Sequence, residues 1–306
     1  MAAAARSARE LAAAGRPAAF AVDPDARLQP LPIDAPNSHL IWNPDTGWRT
    51  SLPAADPRTP FVDLYLPICS ATAAQPITVA HLGQSLDGFI ATQAGESKWV
   101  TGHENMVHMH RMRALCDAVV VGAGTVAFDD PRLTTRLVAG ANPLRVVLDP
   151  GRRLEPSHRV FGDRDAAETL YVCARSLVRA GEERFGRATI VGVSDTAEGG
   201  IDLAEMMALL RARGCARVFV EGGGVTVSMF LEANLLTRLH VAVAPLLIGD
   251  GRPAIRLPAR AALGDCHRPA YRVFKMGGDV LFDCDLAGGD TTSPPDRESP
   301  PVTRVI

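Results

Sequence analysis

The chain has 306 residues, 47% of them hydrophobic and 22% charged, with a net charge of −2, enough for one large domain or two modest ones. Near-neutral charge without a dense Lys/Arg run excludes the electrostatic footprint of a nucleic-acid binder, and 5% aromatic residues argue against a stacking platform for single strands. The longest apolar runs are far too short to span a bilayer.

The opening stretch, MAAAARSARELAAAGRPAAF, mixes alanine with three arginines and one glutamate and has no continuous apolar core. It predicts a short amphipathic helix and no secretory signal, with an organelle-targeting peptide the alternative that its composition leaves open. Residues 1–75 are Pro-rich, with turn clusters WNPDTGWRT and ADPRTP, and read as an N-terminal extension with short strands at SHLIW and FVDLYL. A boundary falls near Gln75–Pro76. Beyond it, strand and helix patterns alternate: strands at 76–83 and 88–92, a helix over 103–115 with Thr101 as its cap, and strands at 117–122, 144–149, 168–174 and 187–193. A helix over 202–214 has Asp202 as cap and Gly214 as stop. Then come a strand at 216–224, a helix at 226–235, a strand at 238–249, and a hairpin over 271–286 turning at Gly277–Gly278. The predicted domain is 76–286, and the polar, Pro-rich segment 287–306 reads as a disordered tail. The pattern describes a three-layer α/β domain with a mostly parallel sheet and an antiparallel edge. The six cysteines, at 69, 116, 173, 215, 266 and 284, include no C-x-x-C pair and read as buried reduced thiols of a cytoplasmic protein.

The stretch DAVVVGAGTVAFDDPRLTTR, residues 117–136, tests for a dinucleotide site. Gly122-Ala-Gly124-Thr-Val-Ala127 fits G-x-G-x-x-G/A, and Asp149 closes the next strand 27 residues after Gly122. Pro131, however, breaks any helix soon after it starts, and 132–143 carry no apolar stripe of helical period. A single turn fits after Gly124; a crossover helix does not, so a Rossmann unit is rejected. Two strand ends are glycine-rich, Gly122-Ala-Gly124 and Glu221-Gly-Gly-Gly224, and expose backbone N–H groups suited to phosphate oxygens. Arg132 and Arg136 beside the first are candidates to grip a substrate phosphate. Thr226 and Ser228 offer hydroxyls near the second, although such groups more often cap helices. On its own, Asp87-Gly88 reads as a tight turn in a solvated loop. In HENMVHMH (103–110) the spacing is not H-E-x-x-H, so these are ordinary helix residues and no metal is assigned.

The stretches SLDGFIA, GESKWVTG, HRMRALCDAVVVGAGTVAFDDPRLTTR, NPLRVVLD and VFVEGGGVTVSMFLEANLLTRLHVAVAPLLIGDG occur in this order. Together they resemble the reductase domain of riboflavin biosynthesis, also found fused to a deaminase in bacterial bifunctional enzymes. The resemblance implies a dihydrofolate-reductase-like fold and NADPH as cofactor. It implies hydride transfer to C1′ of a phosphoribosylaminopyrimidine of the 5-amino-6-(5-phosphoribosylamino)uracil type, giving a ribitylamino product. Carried over by motif, cofactor contacts fall on Gly83, Trp99, Thr125, Asp129 and the turn Gly223, Gly224, Val225 and Thr226. Substrate contacts fall on Ser97, Arg113, Leu133, Arg136 and Glu221. Arg152 or Arg153, just past Asp149, are placed to favour a 2′-phosphate. No residue stands out as a general acid. A homodimer also follows from the resemblance.

Two departures shape the expectation. The family carries Lys or Arg after SLDG where this chain has Phe89, and residues 1–75 contain neither H-x-E nor P-C-x-x-C, so no deaminase activity is expected of them. Two other readings stay open: a reductase of the same fold acting on another heterocycle, and a non-catalytic nucleotide-binding module.

Overall fold

The computed structural model describes residues 1–288 apart from 24, 26, 163–167 and 198. Of the tail expected at 287–306, residues 289–306 lie outside the described residues. In chain order the elements are α1 (Ala2–Ala14), β1 (Ala18–Val22), β2 (Leu28–Leu31), β3 (Leu40–Asn43), β4 (Gly47–Thr50), α2 (Thr59–Cys69), β5 (Ile77–Ser85), β6 (Phe89–Thr92) and α3 (His103–Leu115). There follow β7 (Ala118–Gly122), α4 (Ala123–Asp129), β8 (Leu144–Leu148), α5 (Arg159–Gly162), β9 (Thr169–Ala174), β10 (Arg184–Phe185), β11 (Ala188–Val193) and α6 (Leu203–Ala212). The chain continues with β12 (Arg217–Val220), α7 (Gly224–Glu232), β13 (Arg238–Ala244), β14 (Gly251–Pro253), β15 (Ala270–Met276) and β16 (Asp279–Asp285).

These elements form two compact units. The first joins residues 1–78 to 108–219. Its strands run in the order β10-β11-β9-β8-β7-β12, with β11, β9, β8 and β7 parallel and β10 antiparallel at the edge. The apolar runs explain the choice: Ala118–Val121 and Leu170–Cys173 are essentially inaccessible, as expected of strands covered on both faces. Helix α6 begins as its sequence predicts, with Asp202 Oδ1 accepting from the N–H groups of Ala204 and Glu205 at 2.8 and 3.0 Å. Its buried face is Leu203, Met206, Met207 and Leu210.

The N-terminal segment belongs to this same unit. Its small antiparallel sheet, β2-β1-β3-β4, buries Phe20, Leu40, Trp42 and Trp48. Trp48 Nε1 donates to the Ala4 carbonyl at 3.1 Å, and Arg217 donates to the Ala5 carbonyl at 2.6 Å, tying α1 to β4 and to the start of β12. One expected strand is corrected: FVDLYL lies in helix α2. Its alternating look concealed the helical stripe Val62, Tyr65, Leu66 and Cys69, all buried, while Pro60 in the first turn loses no hydrogen bond.

The second unit comprises 79–107 and the described residues from 220 on. Its strand order is β5-β13-β16-β15, parallel between β5 and β13 and antiparallel thereafter, with a separate β6–β14 pair. The closing hairpin turns at Gly277–Gly278 as expected. One carboxylate locks it: buried Asp283 accepts from Arg238 and Arg272 at 2.5 and 2.7 Å, with His240 Nε2 at 3.3 Å. Burial alone would raise its pKa, but the hydrogen bonds from His240 and Arg238 prevail and hold it below the usual carboxylate range. The mostly parallel α/β architecture with a C-terminal antiparallel hairpin is the one expected of the dihydrofolate-reductase-like class. Cysteines 69, 116, 173 and 215 are buried, whereas Cys266 and Cys284 are partly accessible.

Two glycines should respond oppositely to a methyl group. A Cβ on Gly224 would stand 2.1 Å from the Ala254 carbonyl oxygen, whereas one on Gly124 meets nothing within 4 Å. Gly224→Ala is expected to lower the unfolding free energy by about 1–3 kcal/mol. Gly124→Ala, in the first turn of α4, should raise it by about 0.4–1 kcal/mol. Urea unfolding of both variants checks this; equal effects would contradict the packing assigned to Gly224.

Candidate active site

In the first unit, β7 ends at Gly122 and α4 starts at Ala123, giving two helical turns where one was expected after Gly124. The helix stops where Asp130, the residue before Pro131, turns left-handed at φ 40°. Thr125 lies in its first turn, and exposed Asp129 is its last residue. The two neighbouring aspartates do different work. Asp129 lines a cavity, whereas Asp130 accepts from the Arg159 backbone N–H at 2.8 Å and from its Nε at 2.9 Å. Partial burial opposes ionisation of Asp130, but the hydrogen bonds from Arg159 win and lower its pKa.

The following loop is held from behind by arginines. Arg145 Nη1 donates to the Arg132 carbonyl at 3.1 Å, and Arg113 Nη1 donates to the Thr134 carbonyl at 3.0 Å. Between those two anchored peptides Leu133 is fully buried with φ 55°, a conformation a branched side chain adopts only where its surroundings enforce it. Arg136 Nη1 donates to Thr134 Oγ1 at 2.6 Å, so both guanidiniums meet at one threonine. The Arg136 backbone N–H donates to His110 Nδ1 at 2.9 Å. Arg113, Asp129, Pro131, Arg132, Leu133, Arg136 and Arg159 together line a cavity of about 310 Å³, at the small end of ligand pockets. With Arg159 paired to Asp130, the lining still sets Arg113, Arg132 and Arg136 against the single carboxylate of Asp129, an excess of positive charge that suits an anion.

In the second unit, the strand end of β12 passes through Glu221, Gly222 (φ 97°) and Gly223 (φ 61°) into α7 at Gly224. Helix α7 thus begins two residues before the predicted start. Gly223 occupies its cap position without a side-chain hydrogen bond, leaving the first N–H groups to other acceptors. Val225 is 74% exposed, and Thr226 is buried. Ser228 is corrected: its hydroxyl donates to the Gly224 carbonyl at 2.7 Å and accepts from the Arg256 N–H at 2.9 Å, so it is not offered to a phosphate. Gly83 has a packing reason of its own, since a Cβ there would lie 2.9 Å from Thr101. Thr101 itself accepts from the Asn105 side chain, while Gly102, whose N–H donates to Asp279 at 2.7 Å, precedes the first turn of α3. Ser97 is half-buried, and Trp99 is 75% exposed with φ 69°. Asp87 lies in the exposed turn expected from its sequence, with Gly88 at φ 86°, and there accepts from the N–H groups of Ile248 and Gly249 at 3.0 and 2.7 Å. Those bonds and the Ser85 hydroxyl, its largest influence, lower its pKa.

Against known proteins, the model of the RibD C-terminal domain matches residues 76–265. The chain belongs to the RibD C-terminal domain family. It is 31% identical over 220 residues to the 2,5-diamino-6-ribosylamino-4(3H)-pyrimidinone 5′-phosphate reductase of Methanothermobacter thermautotrophicus, covering 70% of this chain and all of that one. Identity is also 31% with the riboflavin biosynthesis protein RibD of Aquifex aeolicus, over 69% of this chain and 58% of that one. Among solved structures, the bifunctional deaminase and 5-amino-6-(5-phosphoribosylamino)uracil reductase of Thermotoga maritima superposes with TM-score 0.58 at 26% identity, covering 74% of this chain and 59% of that chain. The chain therefore spans the whole archaeal relative but less than two thirds of these two longer proteins.

Within the RibD-type domain, backbone strain falls on the residues the motifs singled out. Trp99, Leu133 and Arg152 are three of the five non-glycine residues with positive φ among those described, and Asp130 is a fourth. Arg152 nevertheless departs from its expected role. Its guanidinium is bidentate to Glu182 at 2.6 and 2.7 Å, donates to the Leu177 carbonyl, and lies over the rings of Tyr171 and Phe185. That commitment takes it away from a nucleotide phosphate and lowers the Glu182 pKa to about 2. Arg153, the other candidate, has a side chain 75% exposed, with Nε 3.6 Å from Asp149. Sequence reasoning missed Arg159, which has no glycine turn or motif beside it, and His110, set aside with the other helix histidines.

Burial, then the nearby Arg113 and Arg136 charges, lower the His110 pKa from its ordinary 6.5 to about 4. Protons therefore bind the unfolded chain more readily than the fold, so this contribution is present above pH 6.5 and is lost as pH falls through about 4. Calorimetry should show His110→Asn, which keeps an acceptor but cannot be protonated, losing less thermal stability than the parent over that interval. Parallel curves would refute the assignment.

Proposed function

We propose that this protein is an NADPH-dependent reductase of a phosphoribosylaminopyrimidine, of the 5-amino-6-(5-phosphoribosylamino)uracil type, in riboflavin biosynthesis. The observation that carries this reading is the arginine-lined cavity of the first unit, where Arg113 and Arg136 converge on Thr134 beside buried Leu133. A ribose 5-phosphate suits its size and charge, and guanidiniums bind phosphate through fixed, forked donors. Membership of the family adds the reaction class, because the archaeal relative is named as a reductase of a ribosylaminopyrimidinone 5′-phosphate.

The residues present fit a dinucleotide. Helix α7 starts at Gly223 without a side-chain cap, and Gly124 in α4 leaves open space where a Cβ would stand, features that admit phosphate oxygens close to backbone N–H groups. In the first unit, Thr125 and Asp129 on α4 are the proposed cofactor contacts. In the second, taken by itself, Gly83, Trp99, Gly223, Gly224, Val225 and Thr226 are the positions that the family motifs assign to the cofactor. Exposed Arg153 replaces Arg152 as the group favouring a 2′-phosphate. When bound, NADPH supplies a hydride to substrate C1′, the C1′–O4′ bond opening as O4′ takes a proton. The protein's own part is placement. In the first unit Arg113 and Arg136 are proposed to fix the phosphate, with Leu133 beside them; in the second, Ser97 and Glu221 are the proposed hydrogen-bonding partners of the substrate. A homodimer in the cytoplasm accompanies this reading, without deaminase activity. Among the described residues no helix is long and apolar enough to cross a membrane.

Phe89, on β6 opposite Pro253, favours one second reading, a reductase of the same fold for another heterocycle. NADPH oxidation, followed at the nicotinamide absorbance, separates the two. Arg136→Ala is expected to raise KM for the phosphoribosylaminopyrimidine by roughly 10- to 100-fold, the worth of a charge-assisted hydrogen bond. The parent should also discriminate against the substrate lacking its 5′-phosphate. Indifference to the phosphate would sink the assignment.

A further inference from the structure

Helix α3 presents two stripes. His108 and Arg111 are three residues apart and share one face; His110 and Arg113 are likewise three apart. The stripes differ by two residues, roughly 200° around the helix, so they face nearly opposite ways. One faces the arginine-lined cavity: His110 Nδ1 accepts from the Arg136 N–H, and Arg113 reaches the Thr134 carbonyl. The other faces α2 of the N-terminal segment. There the Tyr65 hydroxyl and His108 Nδ1 are 2.7 Å apart, and both residues are buried. The Arg111 guanidinium lies 5.1 Å from the ring centre of Phe61 and 5.9 Å from that of Tyr65, within the range of cation–π attraction.

We propose that Tyr65 is a positioning residue for the anion pocket, holding α3 through His108 and Arg111 so that His110 and Arg113 on the opposite face meet the 132–136 loop in register. The segment before residue 76 thereby serves substrate binding without touching substrate. This rests on reading the cavity as the substrate phosphate site. A rotation of α3 by a few degrees about its axis moves Arg113 and His110 together, and both their partners lie in a loop whose buried Leu133 is already in a left-handed conformation. Such a loop has one narrow arrangement in which both arginines meet Thr134. Tyr65 fixes the helix against that rotation by a buried hydrogen bond and a ring contact made at adjacent turns.

The test uses the full chain and two probes, ribose 5-phosphate and ribose, with steady-state kinetics alongside. Tyr65→Phe keeps the ring and removes the hydroxyl; Arg111→Gln removes the guanidinium from the same stripe without altering the α2 core. Each should weaken ribose 5-phosphate binding by about five- to tenfold and raise substrate KM to match, with kcat within about twofold. Any response to ribose should be unchanged. Phe20→Leu, in the small sheet, controls for general destabilisation: it should lower the melting temperature and leave both affinities alone. Variants that lose melting temperature yet bind ribose 5-phosphate like the parent would overturn the proposal. A parent chain that does not bind ribose 5-phosphate would overturn the phosphate-site reading first, and this inference with it.

Discussion

Two guanidinium groups do not gather unless something holds them, and here that something is Thr134. Its carbonyl takes Arg113 and its hydroxyl takes Arg136. Both contacts are to neutral oxygens, so hydrogen bonds to fixed dipoles offset the mutual repulsion of the two cations. The arrangement is demanding because the two arginines come from different elements, one from a helix and one from a loop. Leu133 and the peptide behind it, anchored by Arg145, are what the arrangement requires of the backbone.

The same logic accounts for the histidine nearby. A protonated imidazole at His110 would add a third positive charge and lose the lone pair that accepts from the Arg136 N–H. Burial and the two arginines keep it neutral, so it serves as a hydrogen-bond acceptor that places a cation. The pocket is thus cationic at its lining, with a neutral imidazole behind Arg136.

The strands of this protein were legible because their covered faces leave a continuous apolar record, as in Ala118–Val121, and α6 was legible because Asp202 and Gly214 mark both ends. What was illegible depended on neighbours remote in sequence. FVDLYL alternates like a strand, and only packing against other elements reveals that Val62, Tyr65 and Cys69 share a helical face. Arg152 looked available for a phosphate because its partner, Glu182, comes thirty residues later. Arg159 was missed for the converse reason, since its partner at Asp130 supplies the context that a motif did not. Arg136 was a phosphate candidate by its place beside the glycine turn and Arg113 came from family resemblance, but their convergence on Thr134 could not be read from spacing.

Asp283 carries a consequence for how such a chain can drift. One buried carboxylate serves Arg238 and His240 on one strand and Arg272 on another. Losing it would leave Arg238 and His240 crowded in a poorly solvated place beside the more exposed Arg272, so an intermediate that loses the carboxylate alone is worse than either end of the path. Those four positions therefore form one inherited character: descendants that change the carboxylate first are filtered out, and divergence at this edge of the sheet proceeds only through exchanges that alter several of them together.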